Sequence, residues 1–124
     1  METVVKQTDF SEQRQWQRIP AEVEVKWRDK DSVFTPFRRT ELMDIHHQGC
    51  RLLGGLHFKR GKVVSMLVDL PDEGPCYLEG VVAWSAPVYQ NRIFETGVRF
   101  LTEDRTSEDV YVKLFHYCLI HMPR

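Results

Sequence analysis

From Ala21 to Trp27 apolar and charged residues alternate without a break. Ala21, Val23, Val25 and Trp27 fall on one side, and Glu22, Glu24 and Lys26 on the other. A period of two sends successive side chains to opposite faces of an extended chain, so this stretch predicts a strand with one dry and one wet face. The rhythm returns at Val64, Met66, Val68 and Leu70, just before the strong turn signal Pro71-Asp72-Glu73-Gly74-Pro75. Between them, Arg28 to Ser32 supplies a polar turn and an extended segment is expected from Val33 to Ile45. Gly49 closes a loop, and Cys50 to Leu53 reads as a short strand ahead of Gly54-Gly55. Tyr77 to Trp84 is apolar at nearly every position, which predicts a strand covered on both faces. Ile93 to Phe100 follows the polar connection Tyr89-Gln90-Asn91-Arg92.

Near the C-terminus the period changes from two to between three and four. Thr106-Ser107-Glu108-Asp109 has the spacing of a capped helix start, and Tyr111, Leu114, Phe115, Cys118 and Leu119 form an amphipathic stripe that Pro123 ends. Six short strands at hairpin spacing and one terminal helix predict a mainly β fold. The expected form is a six-stranded antiparallel β-barrel with a C-terminal α-helix plugging one end. Residues 1–13 are polar and lack an apolar period, so a flexible tail is expected there, with residues 14–124 as the folded domain.

A length of 124 residues fits one core. At 42% hydrophobic and 28% charged the chain falls in the soluble globular class. The formal charge of -1 gives no bulk attraction to DNA or RNA, so an anionic partner has to be met by a local basic cluster. No apolar run approaches the roughly 18 residues of a membrane span, and the first residues lack a secretory layout. No membrane insertion and a cytoplasmic location are therefore expected. Cys50, Cys76 and Cys118 are odd in number and form no CxxC pair, which predicts reduced, buried thiols. His46, His47, His57, His116 and His121 show no ligand-like spacing, and no nucleophile or acid–base constellation stands out. Neither a metal, a cofactor nor an enzymatic activity is expected.

Two short motifs remain. Arg14 and Arg18 stand four residues apart ahead of the first strand, a spacing that keeps both guanidinium groups on one side. Their planar forks suit phosphodiester oxygens, the O6/N7 edge of guanine, or a purine face. About 25 residues on comes Asp44-Ile45-His46-His47-Gln48-Gly49. An aspartate at a strand end can accept from the N1 and N2 donors of guanine. Gly49 is expected to supply a positive φ or a close backbone approach to a ligand. Each motif also has a plain reading, a solvated charged segment and a hairpin loop with an Asx turn.

In order and separation the two motifs resemble the signature of PilZ domains, RxxxR followed by D/N-x-S-x-x-G, with His46 where the family usually has serine. Val81 to Trp84, Glu95 to Phe100 and the helix after Thr106 look like the family's last elements. The resemblance implies a PilZ-like barrel whose ligand is the bacterial second messenger cyclic di-GMP. Arg14 and Arg18 would clasp phosphates and guanines, while Asp44, His46 and Gly49 surround one guanine. It further implies a non-enzymatic receptor that orders its arginine segment on binding and signals to an unidentified downstream protein, in motility or biofilm machinery. The alternative is a degenerate PilZ-like adaptor that binds proteins but not nucleotide, which His46 favours. Losing the serine hydroxyl costs about 1 kcal/mol, or roughly fivefold in affinity. An imidazole can instead donate to phosphate or stack on a base. Trp84 is read either as core packing or as a flank for a purine. Gln13 adds no third cation, so one ligand per chain is expected, on a monomer or weak dimer.

Overall fold

The computed structural model describes residues 19–46, 48–71, 73–101 and 105–123, the side chains of 105–109 excepted. The expected tail at 1–13, and Arg14 and Arg18, lie outside the described residues. Six strands follow in order: β1 (Ile19–Asp29), β2 (Arg38–His46), β3 (Gly49–Gly54), β4 (Val63–Leu70), β5 (Gly74–Tyr89) and β6 (Ile93–Phe100), and then helix α1 (Arg105–Ile120). They close into a barrel in the order β1-β2-β3-β6-β5-β4, with every neighbouring pair antiparallel. The predicted fold class holds.

The alternation in β1 becomes burial. Ala21, Val25 and Trp27 are buried, Val23 is half-buried, and Glu22, Glu24 and Lys26 face water. Trp27 is 1% exposed and meets Phe58 edge-on at 4.7 Å between ring centroids. From α1, Leu114 and Cys118 complete the same core. The helix packs on β1, β2 and β5, across the end where β2 stops and β3 begins.

Four expectations need correction. The second strand starts at Arg38, not Val33, because residues 29–35 fold into turns. Ser32 N–H donates to Asp29 O, Thr35 N–H to Ser32 O, and Asp31 N–H to the Asp29 carboxylate. Pro36 then has no N–H to give a ladder. Val33 and Phe34 are left exposed. Strand β5 is covered on one face only: Cys76, Leu78, Gly80 and Val82 point inward, while Tyr77 and Trp84 are exposed on the other side. In the helix stripe Leu119 faces solvent, while Leu114 and Cys118 are buried and Tyr111 and Phe115 pack half-buried against the core. The helix also includes Thr106, which therefore stands within its first turn, after Arg105.

The polar connection before β6, Gln90 to Arg92, is a tight hairpin turn. Gln90 and Asn91 have φ of 46° and 58°, and Arg92 N–H donates to Tyr89 O at 2.8 Å. Two successive positive φ values mark a type I′ turn, whose twist matches that of paired strands. Among the described residues, no helix is long and apolar enough to cross a membrane.

Candidate functional site

Two β-bulges decide which side chains reach the outer face. In β2 the register runs Leu42↔Leu52 and then Asp44↔Arg51, so Met43 is an extra residue. Without it Asp44 would share the inward parity of Leu42. With it Asp44 turns outward opposite Arg51, and Ile45 takes the core position at 0% exposure. In β5 the register runs Val82↔Val98 and then Trp84↔Gly97, so Ala83 is the extra residue and Trp84 leaves the core, 44% exposed. Arg51 pairs directly with Gly97. Four adjacent strands thus present one outward row: Asp44, Arg51, Gly97, Trp84.

Ion pairs fix the left half of that row. Arg51 Nη2 lies 2.7 Å from Asp44 Oδ2, and Arg51 Nη1 lies 2.5 Å from Glu95 Oε2. The Asp44 side chain is 5% exposed and Glu95 25%. A buried carboxylate is stable only when paired, and stripping one partner from such a pair costs about 3–5 kcal/mol when burial is complete. On the right, Gly97 has its side-chain space filled by the Trp84 indole, with Nε1 2.2 Å from where a Cβ would stand.

The loop joining β2 to β3 is pinned from three sides. Gln48 N–H donates to His46 Nδ1 at 3.3 Å, Tyr111 Oη–H donates to His46 O at 3.3 Å, and Phe100 N–H donates to Gln48 O at 2.8 Å. With Nδ1 accepting, the neutral imidazole of His46 carries its proton on Nε2. Of the two expectations for Gly49, the positive φ is overturned: its φ is not positive, and its backbone is pressed against β6, where a Cβ would stand 2.0 Å from Val98 O. Behind the loop, burial first and the nearby Asp44 charge second push the Cys50 thiol well up, so it is no thiolate.

A cavity of about 230 Å³ opens on this face, lined among others by Asp44, His46, Arg51, Trp84 and Arg99. That is below the ~300–1,000 Å³ of pockets enclosing a drug-sized ligand, so it has room for one base rather than a whole dinucleotide. A larger cavity, about 500 Å³, lies where β1 and β4 part beyond the Lys26↔Leu67 pair. Among its described lining residues Glu22, Glu24 and Asp69 outnumber the one cation, Lys26, a balance that disfavours a phosphate ligand there.

Of the sequence-derived site residues, Asp44, His46 and Gly49 stand together at this rim, while Arg14 and Arg18 lie outside the described residues. Arg51, Glu95 and Arg99 were not foreseen. A signal existed for Arg51: a lone cation between Cys50 and Leu52, two residues past the loop glycine, has to point outward beside whatever Asp44 does.

The PilZ domain family model matches residues 12–116. Among solved structures the chain is similar to the Bacillus subtilis inhibitor of motility MotI/DgrA, at 18% identity and TM-score 0.61, covering 83% of this chain and 48% of that one. It is similar to K. pneumonia MrkH in its apo state, at 13% identity and TM-score 0.62, covering 83% and 50%. It also resembles the PilZ domain of YcgR from Escherichia coli, solved with c-di-GMP, at 14% identity and TM-score 0.60, covering 83% and 88%. At these identities the likeness is one of fold. The chain spans about half the length of the MotI and MrkH chains. No curated protein sequence matches it. Because the family match takes in all six strands and most of the helix, the chain belongs to the PilZ domain family.

Proposed function

We propose that the chain is a non-enzymatic receptor for cyclic di-GMP and that the outward row from Asp44 to Trp84 seats one of its guanines. The carrying observation is a paired, buried carboxylate and a half-exposed indole sharing one base-sized cavity at the motif loop. A carboxylate is an acceptor only, suited to the N1–H and N2–H donors of guanine. The indole offers a flat face for stacking. Two structural relatives support the same ligand: one MrkH structure is a c-di-GMP complex, and the YcgR domain was solved with c-di-GMP.

The phosphates need cations that the row does not supply. Asp44 and Glu95 together outweigh Arg51, which leaves Arg99 as the one unmatched cation among the described lining residues. Arg14 and Arg18, inside the family-matched stretch, make up the shortfall. In this proposal the dianion recruits both and orders the segment that carries them across the Asp44–Gly49 loop. The ordered surface is then read by a partner protein in the cytoplasm, in motility or biofilm control. One nucleotide binds per chain, and the barrel works as a monomer or weak dimer without a cofactor.

Titration calorimetry with cyclic di-GMP tests this. Wild type is expected to bind, with Arg14→Ala and Arg18→Ala each losing about 1.5–3 kcal/mol, roughly 10–150-fold. Amide exchange over residues 11–20 is expected to slow only with ligand. Wild type that takes up no nucleotide at millimolar concentration would leave the second reading, an adaptor that binds proteins alone. That reading is favoured by one feature, the His46 ring closing its own loop through Gln48 in the slot where the family keeps serine.

A further inference from the structure

We infer that Arg51 is the positioning residue that sets the preference for guanine, by holding the Asp44 carboxylate in one plane; this rests on the nucleotide-receptor reading above. Its place is central, directly opposite Asp44 on one side and Gly97 on the other. Its two terminal nitrogens go to different carboxylates, Nη2 to Asp44 at 2.7 Å and Nη1 to Glu95 at 2.5 Å. A planar guanidinium held at both ends turns little, and through Nη2 it restrains the Oδ2 edge of the Asp44 carboxylate. The guanine edge offers two roughly parallel N–H donors, so a carboxylate held in one plane distinguishes it from a purine with one donor or none.

Glu95 is the informative partner. Asp44 already neutralises Arg51, so a second carboxylate is superfluous as a counter-ion. What Glu95 adds is orientation, since it draws the guanidinium along the outer face toward β6. With its charge matched twice, Arg51 is a poor phosphate contact, and that separates its role from those of Arg14 and Arg18. Loss of a phosphate contact lowers affinity for every cyclic dinucleotide and flattens the salt dependence. Loss of a positioning residue narrows the choice between bases and leaves the salt dependence alone. Lysine cannot substitute, because one ammonium lacks the fork that reaches both carboxylates in a fixed plane.

The test compares cyclic di-GMP with cyclic di-inosine monophosphate, which lacks only the N2 amine, by calorimetry at two salt concentrations. Wild type is expected to prefer the guanine ligand by about tenfold, the worth of one hydrogen bond to a charged acceptor. In Arg51→Met the preference is expected to fall to near unity with the salt dependence unchanged, and Arg51→Lys to restore little of it. Glu95→Gln keeps the Asp44 pair and is expected to narrow the preference to about threefold, so it decides the matter if Arg51→Met fails to fold. A preference that survives these changes, or an equal loss for both ligands with a flattened salt dependence, overturns the positioning role and leaves the receptor standing. Wild type that binds neither nucleotide removes the receptor reading and the base preference together.

Discussion

Gly97 gives the sharpest handle on the site, because it tests the placement of Trp84 without touching the indole. A Cβ added at Gly97 would stand 2.2, 2.5 and 2.8 Å from the indole Nε1, Cε2 and Cδ1. Ordinary contacts between heavy atoms lie near 3.5–4.0 Å, so the ring has to retreat by more than an ångström. It has somewhere to go, being 44% exposed on the outer face. Gly97→Ala is therefore expected to cost the fold only about 1–2 kcal/mol, in the lower range for overpacking. The cavity, however, loses its aromatic wall. Stacking of one base on an aromatic side chain is worth about 1–3 kcal/mol, which is roughly 5–150-fold in dissociation constant. Calorimetry with cyclic di-GMP on Gly97→Ala, Trp84→Ala and the double variant closes a thermodynamic cycle. Both single losses should be similar and the double no worse than either. If Gly97→Ala keeps wild-type affinity while Trp84→Ala loses it, or if the two losses add, then Gly97 does not place the ring over the ligand.

Gly49→Ala should behave differently. Its Cβ would meet only backbone, Val98 O at 2.0 Å, Val98 C at 3.0 Å and Arg99 Cα at 3.1 Å, so no side chain can swing away. The start of the β3–β6 ladder has to open, and urea unfolding should show a loss of at least about 3 kcal/mol. The three thiols should stay unlabelled by Ellman's reagent at pH 8 until denaturant is added, since burial raises Cys50 and Cys76 and pushes Cys118 up to about 11; rapid stoichiometric labelling of the native protein would contradict this. Burial also pushes Tyr111 up to about 12. The folded state then keeps a proton that the unfolded chain releases near pH ~10, so this contribution is intact below pH 10 and is lost as pH rises toward 12. Tyr111→Phe should flatten that decline in urea midpoints, and at neutral pH should cost about 1 kcal/mol through the lost bond to His46 O.

What the residues disclosed and what they hid divide along one physical line. Strand existence was legible because burial on one face writes a period of two into β1 and β4, and the helix because Leu114 and Cys118 reach the core at helical spacing. The limits of β2 were not, because an apolar pair such as Val33-Phe34 looks extended whether or not it pairs. The bulges were hidden more deeply. An extra residue carries no compositional mark, and Met43 and Ala83 are ordinary strand residues. Yet each bulge reverses the parity of all that follows it, and the two residues so reversed, Asp44 and Trp84, are the ones that make the cavity. Read by strict alternation, both belong inside with Leu42 and Val82. For Asp44 the contradiction was visible, since an aspartate at a core parity beside a loop demands either a partner or a register shift, and here it has both. For Trp84 there was none, because an indole suits a core as well as a rim. The site is therefore written where the sheet departs from its own repeat. In a chain of this kind, a charged residue out of phase with its strand is the better guide to chemistry than any apolar residue in phase.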